Sequence, residues 1–321
     1  MRLIKSISWV LLCGTIFFFT SRAGAQSTAR VEGRIIVAKA VGTVTATHIT
    51  DQSQRRLSVN DVITQQYVVS TGANSQAILI FSNGATLNLG ANSVLSIDEF
   101  LQDPFDEKVA LADLKEEPAT SSTRLNLARG ELVGNVKHLK REKGSSFIVN
   151  TPVGAAGIRG TTFRIVFRPD ANGRVVFTLS TSDGTVLFEA PANPAVSVGT
   201  GKEVAVNVEV KVDAATGTVT VVAPPTVSAP QNIPAATQAN IATAAQQIIE
   251  ASKDVILSTT PTSTPPADNS SSGKSTDEKS KEETKQPEPK PETKTEPKFT
   301  PTEDAAPAIT TPQPDVTPGA G

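Results

Sequence analysis

The sequence predicts an all-β fold: a β-roll or solenoid-like sandwich of short strands, followed by one amphipathic helix and a disordered tail. Three observations support this prediction. Short segments between residues 26 and 223 alternate apolar and polar residues, as a half-buried strand does. Corners rich in glycine and asparagine separate these segments. No helical period of apolar residues occurs in the same range.

Residues 1–25 are predicted to be a signal peptide. Arg2 and Lys5 precede the apolar run 7–19, and an Ala-Gly-Ala sequence ending at Ala25 has the small-x-small pattern of a cleavage site. Cleavage after Ala25 would place the protein in the periplasm or outside the cell, and an uncleaved anchor is the alternative. No later apolar run approaches the roughly 20 residues of a membrane helix, so no membrane span is expected after cleavage.

The composition indicates that some partners and some kinds of site are not expected. The chain has 30 basic and 32 acidic residues, a formal net charge of −2, and loss of the signal peptide removes three of the basic ones. A mildly acidic protein is a poor match for nucleic acid, which is not expected as a partner. The only cysteine, Cys13, lies in the signal peptide, so disulfides and thiolate metal sites are not expected in the mature chain.

The strand pattern is clearest between residues 75 and 97. Asn83-Gly84 predicts a type I′ hairpin turn, in which both central residues need positive φ. Asp183-Gly184 is a second hairpin signal, and Arg129-Gly130 is expected to be a turn between two strands. The other strand-like segments are 35–41, 42–47, 57–63, 67–71, 94–97, 124–127, 131–136, 164–167, 174–180, 185–189, 195–198, 202–206, 208–213 and 218–222.

The stretch 147–163 is the most distinctive part of the sequence. It begins as a strand, is interrupted at Thr151-Pro152, and then carries glycines at 154, 157 and 160, which indicate tight bends rather than helix. A nucleotide-binding loop is the alternative, but no Gly-Lys-[Ser/Thr] follows and no helix opens after the glycines. We expect Gly160 to occupy a corner that has no room for a Cβ atom. Arg159 is expected to be structural, pairing with a carboxylate or capping carbonyl groups.

The acidic segment 98–123 contains two prolines and is predicted to be a surface loop with a short helical turn at 108–115. Its carboxylates are expected to be solvated, and a metal or partner role is the alternative. The segments 43–47 and 208–222 are rich in Val and Thr, with few charges, and are predicted sheet edges. Either a partner strand adds to them, or the C-terminal helix or the neighbouring loop covers them.

The last hundred residues change in character. The range 224–257 is predicted to hold a linker and one amphipathic helix, 233–257, because apolar residues recur there at spacings of three and four. This helix is expected to dock on the β-domain. Residues 258–321 are rich in Thr, Ser, Pro, Lys and Glu, a composition that cannot bury enough apolar surface to fold, so they form the predicted disordered tail.

No catalytic residue, cofactor site or metal site is predicted, and the protein is expected not to be an enzyme. The two histidines, His48 and His138, belong to no metal-binding spacing, and no Gly-x-Ser-x-Gly elbow occurs. An exported hydrolase with a triad that uses one of these histidines remains an alternative.

Short motifs occur in a fixed order along the chain, from Thr71-Gly72 and Asn83-Gly84 to Thr151-Pro152 and Arg159-Gly160-Thr161. This ordered set resembles the FecR domain, the periplasmic module of iron-dicitrate-type transmembrane sensors. Asn83 stands where the family usually has aspartate, a replacement that a turn tolerates. The resemblance extends over 33–210, within a predicted β-domain of 26–223. The residues that carry it are Thr71, Gly72, Asn83, Gly84, Gly130, Thr151, Pro152, Arg159, Gly160, Thr161 and Phe163.

The resemblance implies a fold of stacked short strands and a role in protein–protein contact. Sigma-regulating members carry a cytoplasmic anti-sigma segment and a membrane helix before this domain, whereas here a signal peptide precedes it. We therefore expect no direct contact with a sigma factor. The predicted function is a non-enzymatic protein-binding or signal-relay module of the cell envelope, with an outer-membrane receptor domain as one candidate partner. The alternative is a structural or adhesive envelope protein or a secreted surface protein.

Overall fold

The computed structural model describes residues 29–169, 175–213 and 219–259. The predicted signal peptide and nearly all of the predicted tail lie outside these ranges. The described chain forms two large β-sheets that pack face to face and two small two-stranded sheets, with a single α-helix on the outside. The all-β prediction is confirmed.

Most strands are short, and the longest, β11, has 15 residues. They are β1 (Val31–Glu32), β2 (Ile35–Val41), β3 (Val44–His48), β4 (Gln54–Arg56), β5 (Val62–Ile63), β6 (Tyr67–Thr71), β7 (Gln76–Phe81), β8 (Thr86–Leu89), β9 (Val94–Gln102), β10 (Val109–Ala110), β11 (Ser121–Asn135), β12 (Ser146–Thr151), β13 (Gly154–Ile158), β14 (Thr162–Pro169), β15 (Val175–Asp183), β16 (Thr185–Glu189), β17 (Val196–Gly199), β18 (Lys202–Asn207), β19 (Val210–Val212), β20 (Val219–Val221), β21 (Thr226–Val227), β22 (Gln231–Asn232) and β23 (Ile256–Leu257). The α-helix, α1, is Ala235–Ser252, and 3₁₀ turns occur at Leu111–Asp113 and Arg141–Lys143.

The first sheet has the strand order β4-β3-β6-β9-β11-β12-β13-β16-β17, with β1 beside the end of β9. The second sheet has the order β5-β2-β7-β8-β11-β14-β15-β18, and β21 and β22 pair with β18. All of these pairs are antiparallel except β11 with β12.

Strand β11 belongs to both sheets. Its first part, up to Arg129, pairs in the first sheet, and its last part, from Gly130, pairs in the second. Gly130 has φ +106°, and a Cβ there would lie 2.2 Å from the hydroxyl oxygen of Ser93. The predicted turn at Arg129-Gly130 is therefore wrong: the chain bends there without leaving the strand.

The space between the sheets is filled by apolar side chains, whose burial is the main term favouring the fold. Phe81 lies at the centre, with its ring edge-on to Phe100 at 5.1 Å and to Phe147 at 6.4 Å between centroids. A second pair, Phe177 and Phe188, stacks at 5.2 Å across the two sheets. The contact between Phe81 and Phe147 joins strands that are far apart in the sequence, whereas Phe177 and Phe188 lie on consecutive strands of different sheets.

Both predicted hairpin turns differ in the structure. Gly84 has φ +86°, but Asn83 does not have positive φ. The Phe81 N–H donates to the Ala85 carbonyl and the Gly84 N–H donates to the Phe81 carbonyl. Residues 82–84 therefore form a three-residue loop rather than a type I′ turn. At Asp183-Gly184 the chain passes from β15 in the second sheet to β16 in the first, so this is a corner between sheets and not a hairpin.

The acidic segment is less loop-like than predicted. Strand β9 continues to Gln102, and β11 already begins at Ser121. The helical turn is limited to the 3₁₀ turn at 111–113. Glu117 is only 1% exposed, so the expectation of solvated carboxylates is wrong for this residue.

Helix α1 packs on the outer face of the second sheet, over β2, β7, β8 and β11. Ile241 and Ile248 are its buried residues, and Gln247 accepts hydrogen bonds from the side chains of Gln76 and Asn88 on the sheet. The helix is shorter than predicted at both ends, and β23 after it pairs with β10. The predicted docking of the helix on the β-domain is confirmed.

The predicted sheet edges are only partly correct. Strand β3 is paired on both sides, so 43–47 is not an edge. Strands β19 and β20 form a separate hairpin, as their alternation predicted. Strand β4 is an edge of the first sheet; it is short and exposes two arginines. In the second sheet, residues 226–232 cover the outer side of β18. Short, charged or covered edges resist addition of another strand.

Candidate functional site

The residues singled out in the sequence fall in three places rather than one. Phe163 is a fully buried core residue. The first group surrounds Ser93 and comprises Thr71, Gly72 and Gly130. The second comprises Gly84, Gly160 and Thr161, which lie against residues 136–138, together with their chain neighbours Asn83 and Arg159. The third is the turn between β12 and β13, with Thr151 and Pro152.

The first group is held together by Ser93, a fully buried residue that sequence analysis did not single out. Its N–H donates to the Thr71 hydroxyl at 2.9 Å, and its own hydroxyl donates to the Gly90 carbonyl at 2.8 Å. The Glu131 N–H in turn donates to the Ser93 hydroxyl at 3.0 Å. These hydrogen bonds give partners to backbone N–H and carbonyl groups near the bend of β11, so this group stabilises the fold.

The third group is also structural. The Thr151 hydroxyl donates to the Gly154 carbonyl at 2.9 Å and closes the turn, in which Pro152 needs no N–H partner.

Asn83 begins a buried polar chain that runs into the acidic segment. Its amide donates to the Ser121 hydroxyl at 3.0 Å, and that hydroxyl donates to Glu117 Oε2 at 2.6 Å. The other oxygen of Glu117 accepts the Lys140 N–H at 2.6 Å. Because each oxygen of this buried carboxylate has a donor, its burial is tolerated without an ion pair.

Gly160 lies at a tight corner before β14. It has φ +82°, and a Cβ there would lie 2.9 Å from His138 Nδ1 and 3.0 Å from His138 Cα. The next residue, Thr161, is 2% exposed, and its hydroxyl has no hydrogen-bond partner within the described ranges. The Thr161 carbonyl accepts the Val136 N–H at 3.0 Å, which ties the corner to the end of β11.

Arg159 precedes this corner and points away from the structural contacts. It is exposed, and no carboxylate or carbonyl of the described residues pairs with it. The expected structural pairing of Arg159 is therefore not found. A rigid corner holds the backbone of this residue while its guanidinium faces solvent.

Two cavities lie along the outer face of the second sheet, on either side of Lys137. The corner cavity, about 310 Å³, is bounded by the 114–115 segment, residues 135–138, Gly160, Thr161 and Asp183. The helix cleft, about 430 Å³, lies between α1 and the sheet, and its walls are Thr86, Leu111, Ala112, Asn135, Lys137, Thr162, Ala245, Ile248, Ile249, Ser252 and Lys253. Asn135 and Lys137 belong to both walls, so this face is the candidate functional site.

Lys137 is the charged residue at the centre of this face. Partial burial lowers its pKa, because desolvation disfavours the charged form. Its stem crosses Gly84, where a Cβ would lie 3.1 Å from Lys137 Cγ. No carboxylate or other acceptor of the described residues binds its ammonium group. Sequence analysis missed Lys137, since a lone lysine after a strand has no pattern that distinguishes it.

The histidines do not form a catalytic arrangement in the described part of the chain. His48 Nδ1 and the Ser53 hydroxyl both contact the same oxygen of Asp51, at 3.1 and 2.7 Å, so the serine bonds to the acid and not to the histidine. The hydrogen bonds from Ser53 are the main reason that the pKa of Asp51 is lowered. Among the described residues no group of three or more His, Cys, Asp and Glu side chains could hold a metal ion.

Comparison with known proteins identifies the family of the central region. The family model described as "FecR protein" matches residues 67–187, from the start of β6 into β16. This region is a FecR domain. The resemblance seen in the motifs is thereby confirmed, over a narrower range than the 33–210 expected from the sequence. The matched range contains every residue that sequence analysis singled out in the family motifs.

The chain is also similar in part to two solved structures. Both are crystal structures of a "putative anti-sigma factor" from Parabacteroides distasonis ATCC 8503, at 2.50 and 1.65 Å resolution. Each is 15% identical, with a TM-score of 0.33, and the match covers 51% of this chain and 59% of theirs. The chain thus matches less than two thirds of the length of those proteins. No curated protein sequence matches it.

Within the described ranges, no helix has the length and apolar content needed to cross a bilayer.

Proposed function

We propose that this chain is an exported protein whose FecR domain binds another protein of the cell envelope and relays a signal without catalysing a reaction. Two observations support the proposal. The match of residues 67–187 to the FecR family model supports a signal-relay role. The sequence of residues 1–25 has the charge, apolar run and cleavage pattern of a signal peptide, which supports a periplasmic or secreted location.

The protein-binding role is inferred from the exposed side chain of Arg159. Its neighbours Gly160 and Thr161 are fixed in a packed corner, yet the guanidinium is exposed and has no acceptor within the described ranges. Arginine is enriched at protein interfaces because its planar donors bind carboxylates in pairs and its face stacks on aromatic rings. A rigid backbone lowers the entropy lost when such a side chain is ordered by a partner.

The mode of recognition we favour is therefore a side-chain contact at the corner, and not addition of a strand at a sheet edge. The edge at β4 is short and charged, and residues 226–232 cover β18. A domain of an outer-membrane receptor is a suitable partner for a periplasmic protein. Its complementary surface would present an acidic or aromatic side chain to Arg159.

A photo-crosslinking residue placed at position 159, in the protein expressed in its own cells, tests the proposal. The matched control is position 129, because Arg129 is also exposed, and it lies at the opposite end of β14 from the corner. We expect one discrete protein to crosslink from position 159 and not from position 129. The same partner should be lost in Arg159→Glu and retained in Arg129→Glu. Crosslinks that are absent, or equal from both positions, would contradict a binding surface at the corner; diffuse envelope crosslinks would favour the structural or adhesive role.

A further inference from the structure

The helix cleft has one apolar wall and one polar wall, and the proposed function assigns no role to this cleft. One side consists of Leu111, Ala245, Ile248 and Ile249, contributed by α1 and the 3₁₀ turn. The opposite side is the polar surface of the sheet, with Thr86, Asn135, Lys137 and Thr162. A cavity of about 430 Å³ is within the size range of sites that hold small organic ligands.

The polar side carries one cation that lacks a counter-ion. Lys253, on the rim, is already bound to Glu250 at 2.7 Å. Lys137 has no such partner among the described residues, although it is half-buried and its pKa is lowered by desolvation. A partly desolvated ammonium without an acceptor gains more from an incoming anion than a solvated surface lysine does.

Neutral donors next to Lys137 can complete the recognition of a carboxylate. Asn135 donates one amide hydrogen to the Thr162 hydroxyl at 2.9 Å and has a second one to offer. The Thr162 hydroxyl accepts that bond and keeps its own hydrogen for donation. A carboxylate has two oxygens, so one can accept from the ammonium and the other from these neutral donors.

The apolar side is incompletely covered. Ile248 is 5% exposed, but Ile249, the next residue on α1, is 58% exposed although it lines the cleft. An apolar chain lying in the cleft would remove part of this side chain from water, which is favourable in proportion to the area covered.

We propose that the helix cleft binds a small amphiphile with one carboxylate head and a medium-length apolar chain. The head lies at Lys137, Asn135 and Thr162, and the chain lies along Leu111, Ile248 and Ile249. A single unpaired cation matches a single negative charge, which favours a monocarboxylate. The site requires no protein partner, so this proposal stands or falls separately from the proposed function.

Calorimetric titration of the purified protein with decanoate, below the concentration at which it forms micelles, tests the proposal. We expect saturable binding at one site. Lys137→Gln and Ile249→Ser should each weaken it about tenfold, since one removes a charged hydrogen-bond donor and the other an apolar contact. Decanol, which lacks the charge, should bind more weakly than decanoate and with the same affinity to the wild type and to Lys137→Gln.

Matched controls separate this site from general adsorption. Lys211→Gln and Val176→Ser change an exposed lysine and a 60% exposed valine on other strands, and both should leave decanoate binding unchanged. If Lys137→Gln reduces stability, Ile249→Ser still tests the site, because Ile249 is exposed and its replacement is not expected to affect folding. The proposal is overturned if decanoate does not saturate, if both cleft variants bind like the wild type, or if the control variants weaken binding equally.

Discussion

Gly160 and Gly184 touch each other across the two corners that connect the second sheet with the first. A Cβ at Gly184 would lie 2.6 Å from the Gly160 carbonyl oxygen, and both residues have positive φ, +82° and +83°. One corner leads into β14 and the other out of β15, which are neighbours in the second sheet. The close approach of the two glycines lets these strands end together and sends the chain back to the first sheet.

Gly160→Val is expected to destabilise the protein by clearly more than the ~1 kcal/mol of an average substitution. A β-branched residue is strongly disfavoured at positive φ, and its Cβ would overlap His138. Thermal unfolding followed by circular dichroism measures the effect. Gly199→Val is the control, because no atom lies within 4 Å of a Cβ at Gly199. An unchanged melting temperature for Gly160→Val would show that the corner can relax.

Glu117→Ala is expected to destabilise by roughly 1–3 kcal/mol, the usual effect of leaving buried donors without an acceptor. The Ser121 hydroxyl and the Lys140 N–H would both lose their acceptor. The adjacent Glu116→Ala is the control: its carboxylate is exposed and only 3.8 Å from the Lys140 ammonium. An exposed pair of this kind contributes about 0–1 kcal/mol. Chemical denaturation of both variants gives the two free energies, and equal losses would argue against the buried chain.

Ile248→Ala is expected to lower stability by about 2 kcal/mol or more through the cavity it leaves under α1. Ile249→Ala should change it by only about 0.5 kcal/mol, the range of surface substitutions. The two residues are adjacent and chemically identical, and differ in exposure, 5% against 58%. Equal effects on the free energy of unfolding would mean that α1 does not dock on the sheet as described.

Ser53→Ala is expected to raise the pKa of Asp51 towards its ordinary value. The Ser53 hydroxyl donates to the carboxylate at 2.7 Å and is the largest cause of the lowered pKa. A lowered pKa means that ionised Asp51 favours the folded state above the ordinary carboxyl pKa, and that this contribution is lost as the pH falls through the lowered value. Titration of the carboxyl carbon by NMR measures the shift, with Ser197→Ala as a control at an exposed strand position. An unchanged pKa in Ser53→Ala would assign the shift to the backbone and His48 bonds.

The sequence was sufficient to predict where strands occur, because alternation reports which face of a strand is buried. It did not reveal which strands pair with each other. Asp183-Gly184 has the residues of a hairpin turn, but β15 and β16 belong to different sheets, and that choice depends on contacts with strands distant in the sequence. The turn at Asn83-Gly84 was located correctly, although its type depends on Asn83 being held by Ser121 and Thr123.

The candidate site was less predictable than the fold. Gly160 and Arg159 stood out through their motif, yet Lys137 and Glu117 did not, because a charged residue in an irregular segment is normally solvated. Their burial results from neighbours that the chain brings together: α1 and the 3₁₀ turn beside Lys137, and the ends of β7 and β11 around Asn83, Ser121 and Glu117. Only the assembled sheets show that one charge is satisfied and the other is not.

Because β11 contributes to both sheets, the two cannot lose their structure independently. Its first half is hydrogen-bonded to β9 and β12, and its second half to β8 and β14. Opening either sheet would remove the hydrogen bonds of one half of β11. It would also release the bend at Gly130 that positions the other half of the strand. The β-domain should therefore behave as one cooperative unit, in which amide hydrogens along the whole of β11 exchange only through global unfolding.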